Sequence, residues 1–150
     1  MTITFDDNSL NGAVTFAEIP TGYKGFDWDN WYFIHRLFDV GGPGYESGTV
    51  SGDYSSLNVF GWPAYMSRGT AFSVLRLFAQ SGHVDSGNVV TFEGFNEQNI
   101  LVATHIHTMG ALAGGPYLIE LPADFRDIYK FKFTSAIGEN LAIDNLVVVI

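Results

Sequence analysis

Carboxylates stand at both ends of the chain, in Ile3-Thr4-Phe5-Asp6-Asp7 and in Leu141-Ala142-Ile143-Asp144-Asn145-Leu146-Val147. Each stretch has the apolar pattern of a short strand. In an antiparallel sandwich the first and last strands often lie side by side, which brings Asp6 or Asp7 close to Asp144. Adjacent like charges are costly unless something neutralises them. A structural calcium ion is the expected remedy, because it takes several hard oxygen ligands. The plainer reading is solvated carboxylates at strand ends.

A second set of residues suits sugars. A sugar ring has an apolar C–H face that stacks on an aromatic ring, while neighbouring carboxylates and amides accept its hydroxyl hydrogens. Residues 20 to 66 hold Trp28, Trp31 and Trp62 together with Tyr23, Tyr32, Tyr45, Tyr54 and Tyr65. Trp28 is flanked by Asp27, Asp29 and Asn30, and stands equally well as a platform or as core. Trp31 and Phe33 read as core residues on a short strand to His35. Trp62 lies in Gly61-Trp62-Pro63, a turn that holds the ring outward, and Tyr65 shares that surface. The candidate ligand contacts are Trp28, Asp29, Asn30, Tyr45, Trp62 and Tyr65.

Other chemistry is weaker. His105 and His107 share one face of a strand and could share a transition metal, yet no carboxylate stands next to them in sequence. A lyase using a His and a Tyr as acid and base is disfavoured, because Tyr129-Lys130-Phe131-Lys132-Phe133 lacks the glycine-containing pattern expected around such a tyrosine. Glycoside hydrolysis needs two facing carboxylates, and no pairing of Glu93, Glu97 and Glu120 follows from their spacing. No Ser-His-Asp arrangement, phosphate loop or nucleotide fingerprint appears. The chain is expected not to be an enzyme.

The elements that would carry these residues are strands. Val90 and Phe92 alternate with Thr91 and Glu93. Tyr129, Phe131 and Phe133 alternate with Lys130, Lys132 and Thr134. This period of two marks half-buried strands. Ile100, Val102, Thr104 and Ile106 share one face of a further strand, expected to be the core face, with His105 and His107 turned away from it. Phe72 to Ala79 is apolar on nearly both faces, as for a central strand or one that changes sheets at a bulge. Ser86-Gly87-Asn88, Gly94 to Asn99, Gly114-Gly115-Pro116 and Gly138-Glu139-Asn140 supply turns. Helix is expected only as a short connector over 122–127. The expected inward set is Phe5, Phe72, Val74, Val90, Phe92, Val102, Ile106, Phe131, Phe133 and Ile143. This predicts an all-β, two-sheet antiparallel jelly-roll β-sandwich forming a single domain over residues 1–150.

Composition bounds the partners. The 150 residues are 47% hydrophobic and carry a net charge of −9. That charge is repelled by phosphate backbones and anionic membranes, so neither nucleic acid nor a membrane surface is an expected partner. With no cysteine, disulfides and thiolate zinc sites are excluded. No stretch approaches the roughly 20 apolar residues of a membrane span. Met1 runs straight into a strand pattern without the features of a leader. Either the protein works inside the cell, or it is extracellular or at the cell surface with the leader peptide absent from this chain.

The order of motifs resembles secreted β-sandwich domains related to the galactose-binding-like jelly rolls, a fold shared with many carbohydrate-binding modules. The likeness is carried by Phe5-Asp6-Asp7, by Tyr23-Lys24-Gly25-Phe26-Asp27-Trp28-Asp29-Asn30-Trp31, by the run from Gly44 to Tyr54, and by Ile143-Asp144-Asn145-Leu146. The resemblance implies a non-catalytic carbohydrate-binding or adhesion module. It also implies a structural calcium between the first and last strands, with Asp7 and Asp144 as ligands and Asp6 next. A loop that carries Trp-Asn-Asp-Gly in such domains reads Phe78-Ala79-Gln80-Ser81-Gly82-His83-Val84-Asp85 here. The alternative is a self-assembling structural or surface protein, a homo-oligomer using the apolar run Met109 to Leu121 and the apolar end Val147-Val148-Val149-Ile150 for subunit contacts.

Overall fold

The computed structural model describes residues 1–38, 43–83 and 87–150. Val84 and Asp85 of the altered loop, and Ser86 of an expected turn, lie outside the described residues. Strands dominate, and every pairing among them is antiparallel. In chain order they are β1 (Thr2–Ile3), β2 (Phe16–Glu18), β3 (Asp27–Asp29), β4 (Tyr32–His35), β5 (Tyr54–Leu57), β6 (Ala64–Ser81), β7 (Val89–Phe95), β8 (Leu101–Thr108), β9 (Tyr117–Glu120), β10 (Ile128–Thr134) and β11 (Leu141–Val149). One short helix, α1 (Gly44–Gly48), precedes β5. The expected connector before β10 is a 3-10 turn at Ala123–Phe125.

The long strand β6 belongs to both sheets. Its first part, Ala64 to Ser67, pairs with β10 on one side and β3 on the other. Its second part, Ser73 to Ser81, pairs with β11, and Arg76 to Ala79 also pair with β9. Gly69 and Thr70, between the two parts, are exposed. The apolar run of Phe72 to Ala79 thus reflects a strand that changes sheets and is central in the one it enters. The first sheet runs β2-β4-β5-β11-β6, with β1 also on β11, and the second runs β6-β10-β7-β8.

The first and last strands are adjacent, with Ile3 opposite Leu146. The core between the sheets is aromatic. Phe5, Trp31, Phe33, Phe92, Phe131 and Phe133 are all fully or almost fully buried. Phe133 meets the Trp31 ring edge-on at 4.9 Å. A second, smaller cluster lies on the outer face of the first sheet, where α1 sets Tyr45 over Ile34, Leu57 and Ala142. The helix seats closely because Gly44 has no side chain: a Cβ there would stand 1.7 Å from the Ser81 carbonyl oxygen.

The expected register of β8 is wrong by one residue. Val102 and Ile106 are 46% and 62% exposed, whereas Ala103 is 4% exposed. A one-residue slip exchanges the two faces of a strand. The small Ala103 pairs with Gly94 of β7, at a place where a Cβ on Gly94 would touch Ala103, Ile128 and Phe125. Crowding there selects small residues, so Ala103 defines the inner face. His105 and His107 follow it inward, stacking on Phe92 and packing beside Tyr117. The remaining members of the expected inward set are buried. In the apolar run Met109 to Leu121, β9 pairs with β6 and Met109 and Ile119 are buried, while Ala111, Ala113 and Leu118 remain exposed.

Candidate functional site

The turn after β5 presents Trp62. Phe60 and Gly61 both have positive φ, 58° and 71°, and the Trp62 N–H donates to the Val59 carbonyl at 3.1 Å. Two consecutive central residues with positive φ are the pattern of a type I′ turn. Gly61 is required twice over, since a Cβ would also fall 2.1 Å from the Ala136 carbonyl oxygen. The outcome is a Trp62 ring 61% exposed beside a Phe60 ring 60% exposed, with centroids 5.6 Å apart.

Asn30 locks this turn to the β3–β4 corner. Its own φ is +54°, a conformation asparagine tolerates. Its side-chain amide donates to the Trp62 and Pro63 carbonyls at 3.1 and 3.3 Å. Asn58 adds a further bond to the Trp62 carbonyl at 3.0 Å. Trp62 therefore sits on a pinned turn.

These residues enclose an open cavity of about 450 Å³. Asp29, Asn30, Trp62 and Tyr65 line it, as do Glu18, Tyr32 and Pro63. Asp29 and Tyr65 are directly opposite in the β3–β6 pairing, and Glu18 is opposite Tyr32 in the β2–β4 pairing. Period-two alternation sets each of them outward. Aromatic surfaces and two carboxylates converge, a make-up suited to stacking an apolar ring face while accepting hydrogen bonds from its hydroxyls. Glu18 is absent from the expected set, and Tyr32 belongs to the expected aromatic group but not to the expected contacts. The signal was present for Tyr32, since Trp31 as a core residue places its strand neighbour on the outer face.

Two candidates go elsewhere. Trp28 is a correction: it is 7% exposed and forms part of the core. β3 alternates exposed, buried, exposed over Asp27, Trp28 and Asp29, so the tryptophan cannot share a surface with its acidic neighbours. Its indole N–H donates to the Tyr23 carbonyl at 2.9 Å, and its ring meets Trp31 edge-on at 5.0 Å. Tyr45 is likewise corrected, being 1% exposed on the side of α1 that faces the sheet. Its hydroxyl accepts from the Asn140 side-chain amide at 2.8 Å, and burial pushes its phenol up to about 12.

The carboxylates at the chain ends meet separate partners. Asp7 accepts from the Tyr23 hydroxyl at 2.7 Å and from the Lys24 ammonium, which holds its carboxyl below the usual range. Asp6 accepts from the main-chain N–H groups of Asp53 and Tyr54 at 2.8 and 3.1 Å. Asp144, fully buried, accepts from those of Val50, Ser51 and Asn145 at 2.8, 2.9 and 2.7 Å. The loop carrying these donors passes close to Asp6. Gly52 has φ +59°, and a Cβ there would lie 2.0 Å from the Asp6 carboxylate. Successive N–H groups of this kind form an anion-binding concavity. Calcium needs oxygen ligands, and among the described residues no three acidic or histidine side chains converge to hold an ion. Main-chain donors and Lys24 face these carboxylates.

The sequence matches no protein-family model, and no curated protein matches it significantly. Solved structures do resemble the fold. A DUF4465 family protein from Bacteroides caccae superposes with a TM-score of 0.64 at 9% identity, covering 99% of this chain and 92% of that one. TmCBM61, solved with β-1,4-galactotriose, gives 0.44 at 10% identity over 89% and 96% of the two chains. Family 16 Carbohydrate Binding Module-2 gives 0.38 at 15% identity over 75% and 89%. Among the described residues no helix is long and apolar enough to cross a membrane.

Proposed function

We propose that this chain is a non-catalytic carbohydrate-binding module acting outside the cell or at its surface, with a glycan stacked on Trp62. The observation that carries the reading is the cavity in which Trp62 and Tyr65 stand beside Glu18 and Asp29. Covering a ring this exposed with the apolar face of a sugar removes apolar area from water, which favours binding. Its rigid turn removes the ordering cost that a mobile loop would pay on binding. Carboxylate lining and a net charge of −9 favour neutral glycans over uronate-rich or sulfated ones.

A glycan array followed by calorimetry tests this. Selective binding of a neutral glycan is expected, and Trp62→Ala should weaken it by about tenfold or more. The ring is exposed, so the variant should keep the wild-type unfolding midpoint. An array on which nothing binds would sink the proposal. Release of new reducing ends from the bound glycan would overturn its non-catalytic part.

Self-association is the second reading, favoured by the outer side of β8. Val102 and Ile106 are exposed there, with Ile100 exposed just before it, on a strand paired on one side to β7 and terminal in its sheet. Such edges template pairing between chains. Ile106→Lys should shift stability by no more than about 0.5 kcal/mol, as surface changes do. Light scattering across a concentration series would show whether it also abolishes an oligomer. A monomer at every concentration in the wild type ends this reading.

A further inference from the structure

A second cavity, of about 320 Å³, opens on the outer face of the first sheet. Phe16, Leu57, Val59 and Phe60 make its walls, with His83 and Asn140 at its polar end. It is more apolar than the Trp62 cavity, and the two are neighbours. Glu18, Tyr32 and Leu57 form one cross-strand row, the first two lining one cavity and the third lining the other. Phe16 stands two residues from Glu18 on β2, hence on the same face. Aromatic rings bridge the boundary from both sides. Phe16 and Tyr32 have centroids 5.9 Å apart, and Phe60 and Trp62 5.6 Å apart.

We propose that the two cavities are adjoining subsites of one groove, which binds an internal stretch of a linear neutral glycan rather than a single terminal sugar. The proposal rests on the carbohydrate reading of the Trp62 cavity and adds chain-length selectivity to it. Phe60 and Phe16 give the next sugar along the chain its apolar faces, as Trp62 and Tyr65 do for the first. The polar end, at Asn140 and His83, meets its hydroxyls. Each subsite alone offers modest contact area. Occupying both with one ligand incurs the loss of translational freedom only once, so affinity rises steeply with chain length until both are filled.

The probes are neutral β-1,4-linked oligosaccharides of the galactan, glucan, mannan and xylan series, each from one to six units, titrated calorimetrically. In the series that binds, the longer members are expected to bind about tenfold or more tightly than the monosaccharide and disaccharide. Phe60→Ala should collapse that ratio toward one, while Trp62→Ala lowers affinity for long and short members alike. Both side chains are exposed, and an unchanged unfolding midpoint verifies that each variant folds. Equal affinity for all lengths, or a Phe60→Ala protein that keeps the full ratio, overturns the two-subsite groove while leaving sugar binding at Trp62 intact. If no member of any series binds, the groove falls with the reading on which it rests.

Discussion

Replacing Trp31 with alanine is expected to lower stability by about 3 to 5 kcal/mol, the cost of emptying a large aromatic site in a packed core. Trp31 follows Asn30, whose left-handed backbone ends β3 and starts β4. The ring is 0% exposed and joins rings from three parts of the chain, Phe5, Trp28 and Phe133, at 6.2, 5.0 and 4.9 Å. It therefore links the N-terminal segment and β3 to β10 of the second sheet. The indole nitrogen meets no hydrogen-bond acceptor among the described residues, so the loss should be one of packing. Trp31→Phe, which keeps a ring in the site, should recover more than half of it. Urea unfolding of the two variants measures both. A phenylalanine variant as unstable as the alanine one would mean that the indole N–H has a partner that matters.

The legibility of this core and of the groove differs from strand to strand, for physical reasons. β7 and β10 lie inside their sheet, with polar side chains on one face and aromatic ones on the other, so period two alone assigns Phe92, Phe131 and Phe133 to the core. β8 lies at an edge and carries apolar residues on both faces. Hydropathy could not choose between them; the choice was made by Gly94, the cross-strand partner on β7 whose lack of a side chain admits Ala103. The Trp62 turn was readable because glycine and proline fix backbone geometry locally. Trp28 was not, because a run rich in Asp and Gly hid a three-residue strand whose alternation turns Trp28 inward and Asp29 outward. Glu18 belongs to the cavity only through its pairing with Tyr32, a contact between separate strands that local pattern does not encode. The adjacency of the first and last strands was legible in their apolar patterns, and Ile3 stands opposite Leu146. What surrounds each carboxylate depended on the 50–54 loop, whose main-chain N–H groups carry no signature in side-chain identity.

Acidification is expected to relieve the cost of burying the Asp144 carboxylate and so to stabilise the fold. Burial, the largest influence, raises its carboxyl to about 6 from an ordinary value of 3.8, against the three N–H donors that favour the charged form. The folded state therefore binds more protons than the unfolded state between about pH 4 and pH 6. Stability from this residue falls as pH rises through that window and levels off above it. The span amounts to roughly 3 kcal/mol at about 1.4 kcal/mol per pH unit. Asp7 works the other way, since Lys24 lowers its carboxyl: its contribution is present above the ordinary carboxylate range and is lost on acidification. Comparing wild type with Asp144→Asn across pH 4 to 7 removes the Asp7 contribution, which is common to both. The wild type's advantage over the variant should grow as pH falls. An advantage that shrinks instead would show that the buried carboxylate is held as an anion, which is what a calcium ion beside Asp144 would do, since a cation favours the charged form. Repeating the series with chelator then separates the two cases: a slope that reverses sign on chelation assigns the stabilisation to a metal, and one that does not assigns it to the N–H groups of Val50, Ser51 and Asn145.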